Sequence, residues 1–233
     1  MAKKRALLFI KVNPAGNEAA WNEWYDHKHI PDRLKIKGFL SARRFLNYED
    51  KAGIFTKGEP KYLTLYELAD SNVLKSEAFK KLIEAEASLP PDSFEALSRN
   101  QPTFRRGIYE QIFPVDEEYQ PPSSRYLLIA EQEIPAQYEE EFNAYYNTEH
   151  IPAINQVPGF LTARRFKLSM EFPPVPDNKA IRPYITVYDV QDEEVFATEV
   201  FKRQSASPWQ RRMVSIYAQR LILFYRRVVP KSK

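Results

Sequence analysis

Histidine and tyrosine recur at a fixed spacing in two segments of the 233-residue sequence, and both residue types can move protons. In the first segment Tyr25 and His29 are four residues apart, so a helix places them on one face. The second segment repeats this spacing in Tyr146 and His150. Imidazole is the side chain best suited to proton transfer near neutral pH. Both segments therefore predict catalytic acid–base residues.

The same residues have a structural interpretation. An aromatic stripe on a helix commonly packs against a sheet, which is the favoured interpretation for Trp21 and Phe142, four residues before each tyrosine. Each histidine lies near the predicted helix end, where the ring can bond a free carbonyl and a cation suits the helix dipole. Two roles stay open for His29 and His150: a helix cap, or an imidazole at the mouth of a helix–sheet pocket.

Each segment continues into a predicted strand that carries two consecutive arginines: Arg43 and Arg44 in the first, Arg164 and Arg165 in the second. Successive side chains of a strand point to opposite faces, so one arginine of each pair must face the helices or the barrel interior. A buried guanidinium is costly without a partner. It pairs either with an acid on the neighbouring strand, Glu67 or Asp189, or with a carboxylate or enolate oxygen of a substrate. The sequence does not decide which arginine faces inward.

A further predicted strand carries hydroxyl groups along one face, in Tyr62, Thr64 and Tyr66 and again in Tyr184, Thr186 and Tyr188. Pocket walls are mostly apolar with a few placed polar groups, which fits such a face. The high β-propensity of tyrosine and threonine explains it equally well. The four tyrosines, with Trp21 and Trp24, are therefore candidate substrate-binding residues, with core packing as the alternative.

The elements that position these residues occur twice. Sliding the chain by 121 residues aligns Trp21–Phe45 with Phe142–Phe166, and 12 of the 25 positions are identical. The match continues at a shift of 122, where Tyr62–Leu68 aligns with Tyr184–Val190. We infer a tandem duplication with repeat one over 1–114, a linker over 115–124 and repeat two over 125–233. An inserted loop near Ile83–Phe104 makes repeat one about six residues longer.

Hydrophobic periodicity predicts the same order of elements in each repeat. Repeat one contains Ala6–Val12 (strand), Asn17–Ile30 (helix), Phe39–Tyr48 and Tyr62–Leu68 (strands), Val73–Ala87 (helix) and Arg106–Phe113 (strand). Repeat two contains Tyr126–Glu131, Ala136–Ile151, Phe160–Ser169, Tyr184–Val190, Glu193–Gln204 and Leu221–Val228. The first helix of each repeat should end before its proline. The order β-α-β-β-α-β is the ferredoxin-like motif, whose open sheet face must be covered.

The segments Trp21-x-x-Trp24-Tyr25-x-x-x-His29-Ile30-Pro31 and Gly38-Phe39-Leu40-x-Ala42-Arg43-Arg44-Phe45 resemble the dimeric α/β-barrel superfamily, in particular its EthD-like and uncharacterised-domain branches. The second repeat matches too, so the resemblance covers nearly the whole chain. It implies an α+β fold in which two ferredoxin-like repeats pack as a dimeric α/β barrel within one chain. Related barrels include cofactor-free monooxygenases, polyketide cyclases, muconolactone-type isomerases, haem-handling enzymes and proteins without known activity. The fold alone does not choose among them.

Composition argues against several other classes. The 34 basic and 31 acidic residues leave a net charge of +3 without a basic patch, which argues against a nucleic-acid partner. The chain has no cysteine, three histidines without a metal-binding spacing and no glycine-rich phosphate loop, so we expect neither a metal nor another cofactor. No apolar run approaches the roughly 20 residues of a membrane helix. The first apolar stretch favours a strand over a signal peptide, so we expect a cytoplasmic protein.

Three functions remain. The first is an enzyme without metal or nucleotide, of isomerase, lyase, cyclase or oxygenase type, which binds a small aromatic or lactone-like carbonyl compound. Tyr25 and His29, or Tyr146 and His150, would move protons, and an arginine would hold developing negative charge. The second is a non-catalytic small-ligand-binding protein. The third is haem handling with His29 or His150 as axial ligand. The sequence leaves open whether one or both pockets are active, and whether the fused barrel forms a homodimer.

Overall fold

Eight antiparallel strands close into one barrel in the computed structural model, which describes residues 5–48, 59–115, 120, 123–169, 181–204 and 206–229. The strands are β1 (Ala6–Val12), β2 (Phe39–Asn47), β3 (Tyr62–Leu68), β4 (Arg105–Phe113), β5 (Tyr126–Glu133), β6 (Phe160–Leu168), β7 (Tyr184–Val190) and β8 (Gln219–Val229). Their order around the barrel is β1-β3-β2-β8-β5-β7-β6-β4, and β4 pairs with β1 to close the ring. We call residues 5–115 the first half and 120–229 the second half. Most of the predicted linker 115–124 lies outside the described residues.

The predicted assembly of two ferredoxin-like repeats packed as an α/β barrel was wrong. The structure is a single closed barrel, because β2 pairs with β8 and β4 pairs with β6 through backbone hydrogen bonds. The two halves therefore join edge to edge along two seams. An exposed strand edge presents unpaired N–H and C=O groups, and closure satisfies these groups while it also encloses the inner face. Packing separate sheets face to face would have covered the faces and left the edges open.

Short helices cover the outer face of the barrel. They are α1 (Glu18–Trp24), α2 (Ile30–Leu34), α3 (Glu77–Ala87), α4 (Phe94–Arg99), α5 (Glu139–Tyr145), α6 (Ile151–Ile154), α7 (Glu199–Gln204) and α8 (Pro208–Ile216), with 3₁₀ turns at Ser71–Lys75, Ala136–Tyr138 and Glu193–Ala197. Among the described residues no helix is long and apolar enough to cross a membrane.

The first helix of each half does not end before its proline, contrary to the prediction. A five-residue π-helical turn joins α1 to α2 at Tyr25–His29, and another joins α5 to α6 at Tyr146–His150. The Ile30 N–H bonds the carbonyl of Tyr25, five residues back, and Pro31 then stands in the first turn of α2. A proline lacks the N–H that a helix interior needs, and the first turn of a helix tolerates this loss. Single π turns inside helices are frequent at functional sites.

Strand alternation separates the core into an inner and an outer layer. On β1, Leu7 and Phe9 point into the barrel, whereas Leu8 and Ile10 lie under the helices of the first half. A separate apolar cluster lies under the helices of the second half. The barrel interior is therefore closed off from both helix-covered faces by the sheet itself.

One of the ion pairs in the barrel interior joins Lys11 of the first half to Glu131 of the second. The Lys11 Nζ is 2.8 Å from Glu131 Oε1, and both side chains are fully buried. The same ammonium group also contacts Glu59. Burial raises the pKa of Glu131, and the charge and hydrogen bond of Lys11 oppose that rise. Each buried charge depends on the other, because an isolated one would be strongly disfavoured.

We predict that Lys11→Met lowers the free energy of unfolding by about 3–5 kcal/mol, since it leaves the Glu131 carboxylate buried without its cation. The double variant Lys11→Met/Glu131→Leu should lose less, because both charges are then removed. Urea unfolding at neutral pH measures both values. A single variant as stable as the unmodified chain would contradict this account of the interior.

Candidate functional site

A cavity of about 780 Å³ lies in the first half, between the outer face of the barrel and the helices. Leu8 and Ile10 of β1 and Ile108 of β4 form its apolar floor. The other walls come from α3, α4 and the π-helical turn, which contributes Tyr25 and His29. Two of the predicted catalytic residues therefore line a pocket with a largely apolar floor.

His29 is held against an acid that the sequence interpretation did not include. Its Nδ1 is 2.8 Å from Oε2 of Glu95 on α4, and both side chains are buried. The ring centroid lies 4.9 Å from that of Trp24 and 4.4 Å from that of Tyr25. These contacts fix the orientation of the imidazole at the cavity wall.

Two arginines and a second glutamate complete this buried cluster. Arg33 lies one turn after His29, and its guanidinium is 2.9 Å from Glu86 and 3.8 Å from Glu95. The Arg99 Nε is 2.9 Å from Glu95, and its guanidinium also contacts Glu86. Two carboxylates and two guanidinium groups thus balance one another around the imidazole, so none of these charges is buried without a counter-ion.

This environment keeps His29 neutral. Burial and the positive charge of Arg33 lower the pKa of His29 to about 4, despite the opposing effect of Glu95. Burial alone would raise the pKa of Glu95, but its hydrogen bond with His29 and the nearby positive charges outweigh that effect and lower it to about 2. At neutral pH the pair is therefore an uncharged imidazole beside an ionised carboxylate.

The hydrogen bonds then assign the tautomer of His29. An ionised carboxylate can only accept, so the Nδ1–H donates to Glu95. The Arg33 guanidinium, 3.1 Å from Nδ1, donates instead to the His29 carbonyl oxygen at 3.2 Å. The lone pair is left on Nε2, since the hydrogen bonds of this ring among the described residues all involve Nδ1. This arrangement suits proton abstraction by Nε2.

His150 has a different environment in the second half. Its Nδ1 is 3.1 Å from the Tyr145 hydroxyl, and its Nε2 is 2.9 Å from the Tyr188 hydroxyl. Burial, followed by the charges of Arg220 and Arg165, lowers the pKa of His150 to about 3. Both ring nitrogens therefore have protein partners, as expected for a structural histidine.

The charged groups of the first-half cavity have apolar counterparts in the second half. Arg106 of β4 pairs with Ile10 of β1, and Ile222 of β8 pairs with Ala130 of β5. These registers place Arg106 and Ile222 at matching positions of the two halves. The helix-capping serines Ser93 and Ser207 match α4 with α8. These registers and the alignment at a shift of 121 give four pairs: Arg33 with Ile154, Glu95 with Trp209, Arg99 with Met213, and Arg106 with Ile222. The two halves share a scaffold and differ in these groups.

Arg43 and Arg164 point into the barrel interior, away from the cavity. The Arg164 guanidinium donates two hydrogen bonds to Glu67, at 3.0 and 2.7 Å, and Arg43 donates to Asp189. The sequence named these acids but placed each beside the arginines of its own half. In the structure each arginine bonds the acid of the other half, and the Arg43 guanidinium also lies 3.8 Å from Glu67 of its own half, as predicted. Their predicted contact with substrate stays a prediction, and protein carboxylates already occupy both guanidinium groups.

Arg44 and Arg165 lie on the opposite face of the same strands, under the helices. Arg44 donates to Asn22 and Asp26, and its guanidinium lies 4.2 Å from the ring of Tyr62. Arg165 makes the matching bonds to Asn147 at 2.7 Å and Asn143 at 2.8 Å. Both side chains fasten a helix to the sheet, and neither lines the cavity.

The remaining predicted site residues hold the helices in place. The Tyr62 hydroxyl donates to Glu18 at 2.7 Å, and the matching Tyr184 donates to Glu139. The Trp21 indole donates to Ser98 at 2.8 Å, and Tyr146 accepts from Gln132. The Tyr66 hydroxyl is buried without a hydrogen bond in the described part of the chain. Of the residues in this paragraph, Ser98 alone lines the cavity, and none of the five predicted site residues does.

Sequence reasoning missed Arg33, Glu86, Glu95, Arg99 and Arg106. Four of the five lie in or beside the segment that was interpreted as an inserted loop, which contains α4. Two local signals were present in the sequence. Ser93 precedes the Glu95–Arg99 pair as a helix cap, and Arg33 lies four residues after His29, which places the two on one helix face.

Comparison with solved structures shows the class of fold. The chain is similar to a putative monooxygenase from Fusobacterium nucleatum, with a TM-score of 0.60, 9% identity and coverage of 97% of this chain and 94% of that one. An anthrone oxidase-like protein gives a TM-score of 0.59 at 13% identity, covering 97% and 92%. A putative chlorite dismutase gives 0.57 at 10% identity, covering 97% and 95%.

The shared fold of these neighbours is consistent with the superfamily that the motifs indicated. Identities this low show the fold alone, and the EthD-like branch and the tandem duplication stay predictions. No family model matches the sequence, and no curated protein matches it.

One group among the described residues has the geometry to hold a metal ion: ligand atoms of His29, Glu86 and Glu95 lie within 4.8 Å of one another. Arg33 and Arg99 already provide their counter-charges. We predict that Zn²⁺ does not raise the melting temperature, because a dication would meet two guanidinium groups. Thermal unfolding with and without Zn²⁺ checks this, with Glu95→Gln as control. A saturable rise that Glu95→Gln abolishes would establish a metal site.

His150 should make stability depend on pH. The unfolded ring takes up a proton near pH 6.5 and the folded ring only near 3, so the unfolded state binds more protons between these values. Stability must therefore fall as pH is lowered through this window. We predict that His150→Gln removes about 2 kcal/mol of the loss between pH 7 and pH 5. Urea unfolding of both proteins at the two pH values measures it. Parallel pH profiles would refute a neutral, half-buried His150 in the folded protein.

Proposed function

We propose that this chain is an enzyme that removes a proton from a small aromatic or lactone-like carbonyl compound bound in the first-half cavity. The observation that carries the proposal is the hydrogen-bonded pair of His29 and Glu95 at the cavity wall. A neutral imidazole with a free lone pair accepts protons, and a carboxylate on its other nitrogen stabilises the imidazolium that forms. His29 is therefore the proposed base, and Glu95 is the residue that positions it.

The proposed step transfers a proton from carbon to nitrogen. The C–H bond beside the substrate carbonyl breaks, its proton moves to Nε2 of His29, and its electron pair forms an enolate. Arg33 and Arg99 place positive charge near the developing oxyanion. Burial raises the pKa of Tyr25, so its phenol stays protonated and suits a hydrogen-bond donor to that oxygen.

An oxygenase is the type of enzyme that we favour within this proposal. Two fold neighbours, named as a putative monooxygenase and an anthrone oxidase-like protein, support this choice. The corresponding reaction converts R₂CH₂ and O₂ into R₂C=O and H₂O, in which the carbon is oxidised and O₂ is reduced. Deprotonation would supply the electron-rich carbon that O₂ oxidises. Isomerase, lyase and cyclase reactions share the first step and differ in the fate of the enolate.

Haem handling is a weaker candidate, although one fold neighbour is named as a putative chlorite dismutase. An axial imidazole must point a nitrogen into a slot that takes the flat macrocycle. Both nitrogens of His150 are bonded to tyrosines. His29 is only 7% exposed and is surrounded by Arg33, Glu95 and aromatic rings. These residues do not fit the group, and we derive no step through it.

The test is turnover of a panel of anthrones, phenols and unsaturated lactones, followed by O₂ uptake and product analysis. His29→Ala should lower kcat by about 10²–10⁴, the usual contribution of a general base. Glu95→Gln should lower kcat less and shift the acidic limb of its pH profile. His150→Gln is the matched control and should keep its activity.

Three results would contradict the proposal. A folded His29→Ala variant with full turnover excludes His29 as the base. Loss of turnover in His150→Gln but not in His29→Ala places the reaction in the second half. A Soret band in the purified protein would favour the haem alternative instead.

We also propose that the chain is a tandem duplication of an EthD-like module, that it is cytoplasmic, and that the fused barrel forms a homodimer.

A further inference from the structure

A phenol of the protein itself, Tyr217, packs under the helices of the second half. Its ring lies edge-on to Phe142 with 6.0 Å between the ring centroids, and its hydroxyl is 3.4 Å from that of Tyr146. Burial and the nearby Tyr146 hydroxyl raise the pKa of Tyr217, so the phenol stays protonated. The ring also packs against the apolar cluster of that half. The second half thus shows how this scaffold holds a hydroxyl-bearing aromatic ring.

The two rings that contact Tyr217 have counterparts in the first half. The alignment at a shift of 121 matches Phe142 with Trp21 and Tyr146 with Tyr25. The ring centroids of Trp21 and Tyr25 are 4.9 Å apart, and those of Phe142 and Tyr146 are 4.8 Å apart. The first half therefore contains the same pair of rings, and Tyr25 lines the cavity.

The first half has no aromatic ring at the position of Tyr217. Arg106 and Ile222 occupy matching positions, and five residues before them stand Gln101 and Tyr217. Counting forward from the serines that cap α4 and α8 matches Tyr217 with Thr103 instead. Neither Gln101 nor Thr103 carries a ring, so the phenol of the second half has no counterpart in either register.

The cavity of the first half lies at this position. Tyr25 and Gln101 both line it, and the Gln101 side chain donates to the Asn13 carbonyl oxygen at 3.0 Å. Phe104, the next aromatic residue along the chain, forms part of the cavity wall. The volume of about 780 Å³ lies within the usual range of small-molecule sites. The matching places of the two halves thus differ in one respect: one holds a phenol of the protein, and the other is open to a ligand.

From this comparison we propose that the first-half cavity binds a hydroxyaromatic compound. Its ring takes the place that Tyr217 has in the second half, and its hydroxyl contacts Tyr25 as that of Tyr217 contacts Tyr146. The inference rests on the proposed function, because it uses the same cavity and names the class of its substrate. Tyr25 offers an aromatic ring and a hydroxyl, and Leu8 and Ile10 offer an apolar floor.

This ligand class agrees with the proposed proton removal. When the phenol O–H bond breaks, its proton moves to Nε2 of His29 and its electron pair stays on the oxygen. The phenolate that forms is the enolate of the corresponding cyclic unsaturated ketone. A hydroxyaromatic compound and its carbonyl tautomer therefore give the same anion, and the base assignment serves both.

The first experiment is equilibrium dialysis of the full chain with 2-naphthol and 2-methylnaphthalene in the absence of O₂. The two probes have nearly the same shape and differ in the hydroxyl. Tyr25→Phe should weaken the binding of 2-naphthol about two- to tenfold, as loss of one neutral hydrogen bond predicts, and leave the affinity for 2-methylnaphthalene unchanged. Tyr146→Phe removes the matching hydroxyl of the second half and should leave both affinities unchanged.

A second pair of variants tests where the ring lies. Gln101→Tyr gives the first half the side chain that the second half carries, and its ring should exclude the probes, so that both affinities fall at least about tenfold. Gln101→Ala removes the same hydrogen bond to Asn13 without adding a ring, and it should bind both probes as the unmodified chain does.

No measurable binding of 2-naphthol, equal losses for the two probes in Tyr25→Phe, or full binding in a folded Gln101→Tyr variant would each overturn the inference. His29→Ala separates this result from the proposed function. That variant should lose turnover, and adding Tyr25→Phe to it should still weaken 2-naphthol binding selectively. Turnover of carbonyl compounds without any contribution of Tyr25 to 2-naphthol binding would leave the base assignment in place and refute the ligand class.

Discussion

Closure of the barrel depends on pairing charges that no solvent reaches. Arg164 bonds Glu67, and Arg43 bonds Asp189, so each buried guanidinium uses an acid from the other half of the chain. Opening either seam would leave several ions in an apolar interior without partners, which costs far more than a ladder of backbone hydrogen bonds. The strands are therefore held in one closed arrangement, and both helix layers are confined to the outside.

The candidate site uses the same physical rule on the outer face. The imidazole of His29 is buried with two acids and two arginines, and it stays neutral because desolvation outweighs its bond to Glu95. The cluster is stable because its two carboxylates balance its two guanidinium groups. A proton that binds Nε2 of His29 adds one positive charge to it. Such a cluster is suited to chemistry in which charge is created and removed within one step.

The local sequence pattern predicted the eight strands but not their assembly into one closed barrel. The bounds of β3 and β7 agree with the sequence, and alternation indicated that the two arginines of each pair face opposite ways. The sequence indicated Glu67 as a partner of Arg43, which lies 3.8 Å from it, but not the hydrogen bond to Asp189. Asp189 lies across the barrel, and nothing in the spacing of one strand encodes that distance. The helix was expected to end at Ile30, whereas a π turn absorbed the proline and continued it to Leu34.

The missed site residues show why a comparison of repeats finds the scaffold first. His29 and His150 belong to one motif, yet one ring bonds a carboxylate beside a cavity and the other bonds two tyrosine hydroxyls. Residues that are identical in the two halves are those that closure of the barrel requires in each half. Functional residues are to be sought at matching positions where the two halves differ, such as Glu95 in the first half and Trp209 in the second. A histidine that occurs in both halves therefore acquires its role from neighbours that the shared motif does not contain, and those neighbours should be substituted first.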